Sequence, residues 1–168
     1  MTVLMGKVLL FLSCLWVGLD RARRRRARTA CLRAFRQAVA DLTREMSFSL
    51  DSLDRLIRRA GEGEGPVPAF FAACGEKFRQ TGGESWADSW QRALDAAALP
   101  VGPADRALFA RAGELLGRWD GETQRKALGD LLSRLDEAIF DGAEEEKRLG
   151  RVDLTLGLTA GLFCVLLF

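Results

Sequence analysis

The side chains that could do chemistry fall into two kinds of group. Asp41 and Glu45 lie one helical turn apart, and Glu144, Glu145 and Glu146 are consecutive. Carboxylates at such spacing are what general acid–base catalysis would need. The second group is cationic: Arg21, Arg23, Arg24, Arg25, Arg26 and Arg28 are packed into one short segment, and clustered guanidinium groups can neutralise phosphates. Against an enzyme stands the complete absence of histidine, which removes the commonest general base, the commonest zinc nitrogen ligand and the imidazole of any triad. Cys14, Cys31, Cys74 and Cys164 form no C-x-x-C pair, so neither a disulfide framework nor a metal site is legible. Free, mostly buried thiols in a reducing compartment are the plain reading. The phosphate-cradling, dinucleotide, zinc-protease and calcium-loop motifs are all missing. The carboxylates are therefore read as solvated faces or partners of arginines, and no enzyme, cofactor or metal is expected.

What must position these groups is set by where the apolar residues lie. The chain has 168 residues with 25 basic against 23 acidic, room for one modest domain with appendages. A net charge of only +2 makes any basic surface a local one. Residues 1–19 are predominantly apolar and carry one charge, Lys7; as a helix they rise roughly 28 Å, close to the hydrocarbon thickness of a bilayer. The arginines come after this run, the reverse of a secretory signal, so an uncleaved anchor is expected. Residues 20–28 then form a basic juxtamembrane segment that the positive-inside rule places in the cytosol. Residues 152–168 carry one charge, Asp153, and follow Lys147, Arg148 and Arg151. A second, shorter anchor of roughly 25 Å is expected there. Both flanks agree on a cytosolic middle, residues 29–150, with both termini outside. Position then accounts for the arginine cluster through topology and anionic headgroups, and nucleic acid is not expected as a partner.

The middle reads as helical throughout. Leu32, Phe35, Val39, Leu42 and Met46 alternate steps of three and four, laying one apolar stripe along a helix from about Thr29 to Phe48. Asp51 can cap a second helix with Leu53, Leu56 and Ile57, ended by the Gly61 to Pro66 linker. A third, from about Val67 to Arg79, presents Phe70, Phe71, Cys74 and Phe78. A fourth, opened by Glu84 or Ser85, presents Trp86, Trp90 and Leu94. After the Leu99 to Pro103 turn, a fifth carries Leu108, Ala112, Leu115 and Leu116, and a sixth runs from about Gly121 to Leu149. The expected fold is all-α: a cytosolic bundle of about six helices flanked by two transmembrane helices.

Several stretches together resemble the stage III sporulation protein AB family. Gly18-Leu19-Asp20-Arg21-Ala22 follows the first anchor, and its helix closes with Leu42, Glu45-Met46 and Phe48, like that family's G-[FL]-[ED]-x-A opening and L-x-x-E-[IM]-x-[YF] helix end. Trp90 and Ala93-Leu94 fit its W-x-x-A-L segment. Gly113, Leu116-Gly117, Asp120 and Gln124 fit its F-G-x-x-L-G-x-S-D-x-x-x-Q signature, with Ala112 and Trp119 in place of the family Phe and Ser. In physical terms, Gly113 and Gly117 leave a groove on one helix for a close neighbour, and Asp120 is placed to cap the next helix, with Gln124 on its first turn.

The resemblance implies a non-enzymatic component of the machinery between mother cell and forespore in endospore formation, on the mother-cell side of the outer forespore membrane. It implies an adaptor between a cytosolic secretion-type ATPase and membrane partners of the channel, its bundle similar to platform-protein domains of type II secretion and type IV pilus systems. Candidate partner contacts are Arg33 and Arg36 on the first helix and the corner formed by Gly113, Gly117, Asp120 and Gln124. A membrane-tethered adaptor unrelated to sporulation, binding anionic lipid or an acidic protein, is the alternative.

Overall fold

A computed structural model describes residues 2–48, 53–80, 86–117 and 121–167. Within these, residues 2–12, 14–15, 46–48, 53, 121–122, 150–154, 156–158 and 160–167 are described by their backbone alone. The order is α1 (Thr2–Phe48), α2 (Leu53–Ala60), α3 (Pro66–Gln80), α4 (Trp86–Ala96), α5 (Pro103–Leu116) and α6 (Gly121–Leu167). The expected all-α bundle is what forms: there is no strand among the described residues. Two helices are longer than the sequence pattern suggested. The stripe expected from Thr29 shares one helix with the apolar stretch before it, and α6 runs past Leu149 to Leu167. Neither Arg21 to Arg28 nor Glu144 to Gly150 contains a proline to break a helix. Among the described residues no helix is long and apolar enough to cross a membrane.

The chain divides into two compact units, Ala30–Ile139 and Met1–Thr29 with Phe140–Phe168. The first is built on the α1 stripe. Leu32, Phe35 and Val39 are fully buried and Leu42 nearly so, as their spacing requires. Around Phe35 gather Phe109, stacked at 3.6 Å between ring centroids, Phe71 at 5.9 Å, and Phe70 and Trp90 at 6.2 Å. Each such ring contributes about 1.5–3 kcal/mol by leaving water, and well-oriented aromatic pairs add about 0.5–1.5 kcal/mol.

Turn chemistry sets the helix ends. Pro66 and Pro103 stand at the first helical positions of α3 and α5, where a missing N–H costs nothing. Asp105 accepts a hydrogen bond from the Gly102 amide at 3.2 Å and holds the entry to α5. Gly63 and Gly65 have φ of 125° and 121°, open to glycine and strained for other residues. The caps expected from Asp51, from Glu84 or Ser85, and from Asp120 lie outside the described residues.

In the second unit, α1 and α6 lie side by side at Thr29. A Cβ added to buried Gly142 would stand 3.1 Å from the Thr29 hydroxyl oxygen. That hydroxyl donates to the Arg25 carbonyl at 3.2 Å. Arg26 meets Glu146 at 3.0 Å and Arg25 meets Glu145 at 3.8 Å, so two of the three consecutive glutamates face arginines.

Candidate functional site

The glycine corner lies between α4 and α5. Trp86 and Trp90 project from one face of α4, four residues apart, onto the strip that Gly113 and Gly117 leave bare on α5. A Cβ on Gly113 would fall 2.3 Å from the Trp90 ring, and one on Gly117 would fall 2.6 Å from the Trp86 ring. Each indole also finds an acceptor on α5. Trp90 Nε1 donates to the Phe109 carbonyl at 2.9 Å, and Trp86 Nε1 to the Gly113 carbonyl at 3.1 Å. Gln124 closes the far end by donating to the Leu115 carbonyl at 2.7 Å, which satisfies one of the orphan carbonyls at the end of α5. The groove read from glycine spacing is thus filled by the chain's own tryptophans; Gly113 is buried and Gly117 half-buried. Asp120 lies outside the described residues.

At the other end of α4, Arg106 donates to the carbonyls of Leu94 and Ala97, the latter at 3.0 Å. Nothing in the sequence reading singled out this residue. A basic side chain one turn into the next helix is the signal that could have found it, because helix C-termini attract cations.

The two arginines named on α1 differ. Arg33 is exposed. Arg36 forms a bidentate pair with Asp136 of α6, both bonds 3.0 Å. In the cluster before them, Arg24 pairs with Asp20 at 2.7 Å, and Arg25 and Arg26 pair with the glutamates of α6 as above. Arg21 and Arg23 are exposed. Three large apolar residues directly precede them, Trp16, Val17 and Leu19, with 68%, 52% and 40% of their surfaces exposed.

Asp41 and Glu45 do share a depression, a groove of about 490 Å³ between α1 and α2. Both carboxylates are already engaged: Asp41 accepts from Gln37 at 3.0 and 3.1 Å, and Glu45 meets Arg59 at 3.2 Å. No nucleophile stands near them among the lining residues. Among the described residues no group of three or more His, Cys, Asp or Glu could hold a metal ion. Cys31 and Cys74 are buried free thiols. Burial pushes Cys31 up to about 11, helped by the charge of Asp105, and pushes Cys74 up to about 12, far from the thiolate character a reactive cysteine needs.

What fold and corner define is a helical-bundle protein, locked by aromatic–glycine packing, whose described surface offers charge pairs and open grooves. The chain belongs to the stage III sporulation protein AB family, whose sequence model matches residues 3–168. It is 24% identical to the stage III sporulation protein AB of Bacillus subtilis (strain 168) over 170 residues, 99% of each chain. A solved structure of a stage III sporulation protein AB superimposes with a TM-score of 0.63 at 20% identity, covering 73% of this chain and 98% of that one. The identity to that structure is low enough that it speaks for the fold. Family membership places the chain in stage III of sporulation.

Proposed function

We propose that this chain is a non-enzymatic, membrane-anchored adaptor of the stage III sporulation machinery. Residues 1–19 and 152–168 are its anchors in the outer forespore membrane, and its middle is held in the mother-cell cytosol. There the bundle receives a secretion-type ATPase and passes its position to membrane partners of the same channel. The observation that carries the membrane half of this reading is the sequence Trp16, Val17, Leu19, Arg21, Arg23. Exposed apolar side chains, one of them an indole, give way within a turn to exposed guanidinium groups. That order suits the boundary between hydrocarbon and anionic headgroups, where tryptophan and arginine are both favoured.

The adaptor half is supported by how the bundle's reactive groups are used. Of the paired carboxylates that catalysis could use, Asp41 is bonded to Gln37 and Glu45 to Arg59, and the described thiols are buried. The signature glycines then act as positioning residues that fix α4 on α5, and Arg33, with Arg36 beside it, offers charge to a partner.

Topology and partner are separately testable. With Cys14 and Cys164 replaced by Ser, a Cys placed at exposed Glu64 should react with a membrane-impermeant maleimide only after permeabilisation. Labelling in intact cells would refute the cytosolic placement. The full chain in detergent should retain the purified ATPase from the same organism, and failure to do so with both proteins folded removes the adaptor role.

A further inference from the structure

We propose that the groove between α1 and α2 docks a basic amphipathic helix from a partner protein. Its apolar lining comes from both helices. Ala34, Ala38 and Leu42 follow one another at four-residue spacing along α1, and Leu56 of α2 closes the side. Leu42 and Leu56 are buried, whereas Ala34 is exposed and Ala38 half-buried. Methyl groups at that spacing leave room for the ridge of a second helix, which also repeats every four residues. From residue 34 to residue 45 the groove runs roughly 16 Å, about three helical turns.

The rim decides the charge of the occupant. Gln37, Asp41 and Glu45 form a polar line on α1 beside the alanines, and Glu62 stands past the end of α2. Three carboxylates line this groove with the Arg59 guanidinium, and Glu62 also borders Arg55 and Arg58 on its outer side. The Arg59 and Glu45 side chains are 72% and 36% exposed, and Arg44, 69% exposed, approaches Asp41 only to 3.6 Å. Ion pairs this open to water are weak, so both carboxylates can exchange an internal partner for an incoming one. Arginines at four-residue spacing, on the line beside an Ala/Leu ridge, would meet Asp41 and Glu45 together. An acidic helix or a phosphate would meet like charge. The same spacing of carboxylates that catalysis could use serves recognition here, and the proposal stands whichever protein supplies the helix.

The test uses the full chain in detergent and two labelled 18-residue helical peptides. Both carry an Ala/Leu ridge; one has Arg, the other Glu, on the adjacent four-residue line. Fluorescence anisotropy should show the Arg peptide binding at least tenfold more tightly than the Glu peptide. Ala34→Trp, which fills the open end of the floor at an exposed site, and Asp41→Lys should each weaken it at least tenfold. Glu114→Lys, on the exposed face of α5, should change it less than twofold. Circular dichroism confirms that each variant is folded, and Asp41→Lys decides the matter if Ala34→Trp is not. Absence of binding, equal affinity for the two peptides, or groove variants that bind like the parent chain would overturn the proposal. So would sedimentation showing a dimer that Ala34→Trp dissociates, because a second copy would then be the occupant.

Discussion

Gly113→Ala adds a single methyl group, and the structure says where it must go. The new Cβ would stand 2.3 Å from both Cδ1 and Cγ of Trp90 and 2.6 Å from Nε1, far inside an ordinary carbon–carbon contact of about 3.5–4.0 Å. The indole has little room to give. It is 1% exposed, packs edge-on against Phe70 at 4.9 Å and Phe71 at 5.6 Å, and is tied to the Phe109 carbonyl. Overpacking of this kind costs about 1–3 kcal/mol, and losing the indole hydrogen bond adds about 1 kcal/mol. Alanine's better helix propensity returns about 1 kcal/mol, leaving a net loss of about 2 kcal/mol. Gly129→Ala is the matched control, since Gly129 is exposed within α6 with nothing near its added Cβ. It gains the propensity term alone. At roughly 4 °C per kcal/mol for a bundle of this size, the first variant should melt about 8 °C below the parent and the second up to about 4 °C above it, followed by circular dichroism. If the two variants shift in the same direction, the interlocking of α4 with α5 is not what holds the corner.

Gln124→Ala removes the donor to the Leu115 carbonyl and should cost about 1 kcal/mol in urea unfolding, with no change in the slope against denaturant. Arg36→Ala breaks a surface pair with Asp136 and should lower stability by less than about 1 kcal/mol, so any larger loss in partner binding reports recognition rather than folding. The two buried thiols make an alkaline prediction. Both hold their protons more tightly folded than the ordinary 9.0, Cys31 to about 11 and Cys74 to about 12. The unfolded chain therefore releases these protons first. Stability from them is complete below pH 9 and lost as pH rises through 11 and 12, at up to about 1.4 kcal/mol per thiol per pH unit. Cys31→Ala with Cys74→Ala should flatten the fall of the melting temperature between pH 9 and 11. Both thiols, in a Cys14→Ser, Cys164→Ser background, should react with iodoacetamide at pH 8 only at the rate of unfolding.

How much of this was legible follows from which signals are local. The α1 stripe was readable because one helix face must leave water, and all four described members of it are buried. The corner was readable from the i, i+4 pairs on two helices, Trp86 with Trp90 and Gly113 with Gly117. Bulk on one helix and its absence on the other imply close approach even before the partner is known. Arg106 and the groove were not legible, because each joins residues whose meeting depends on tertiary placement. Arg106 caps α4 from α5, and Leu56 of α2 lines the same groove as Ala38 of α1 only in the folded chain. Helix ends were legible where proline or glycine forces them, as at Pro66 and Pro103. They were missed where nothing interrupts the helix, as at Thr29, whereas the run of α6 past Leu149 towards the apolar end was open in the sequence.

The placement of charge ties these observations to a role. Asp41, Glu45, Arg36 and Arg26 each have a partner inside the chain, and each lies at the surface where that partner can be exchanged. Exposed pairs hold a fold only weakly, whereas the aromatic core and the tryptophan–glycine corner hold it firmly without any charge. Stability and surface charge are therefore separable in this protein: the pairs can be opened by a binding partner at little cost to the bundle. An enzyme concentrates its charged groups in a sheltered cleft, where they act on one substrate. Spreading exchangeable pairs over helix faces is what the proposed adaptor role would require, and under that proposal substitutions at the corner should show in melting curves while those at Asp41 or Arg36 should show in binding.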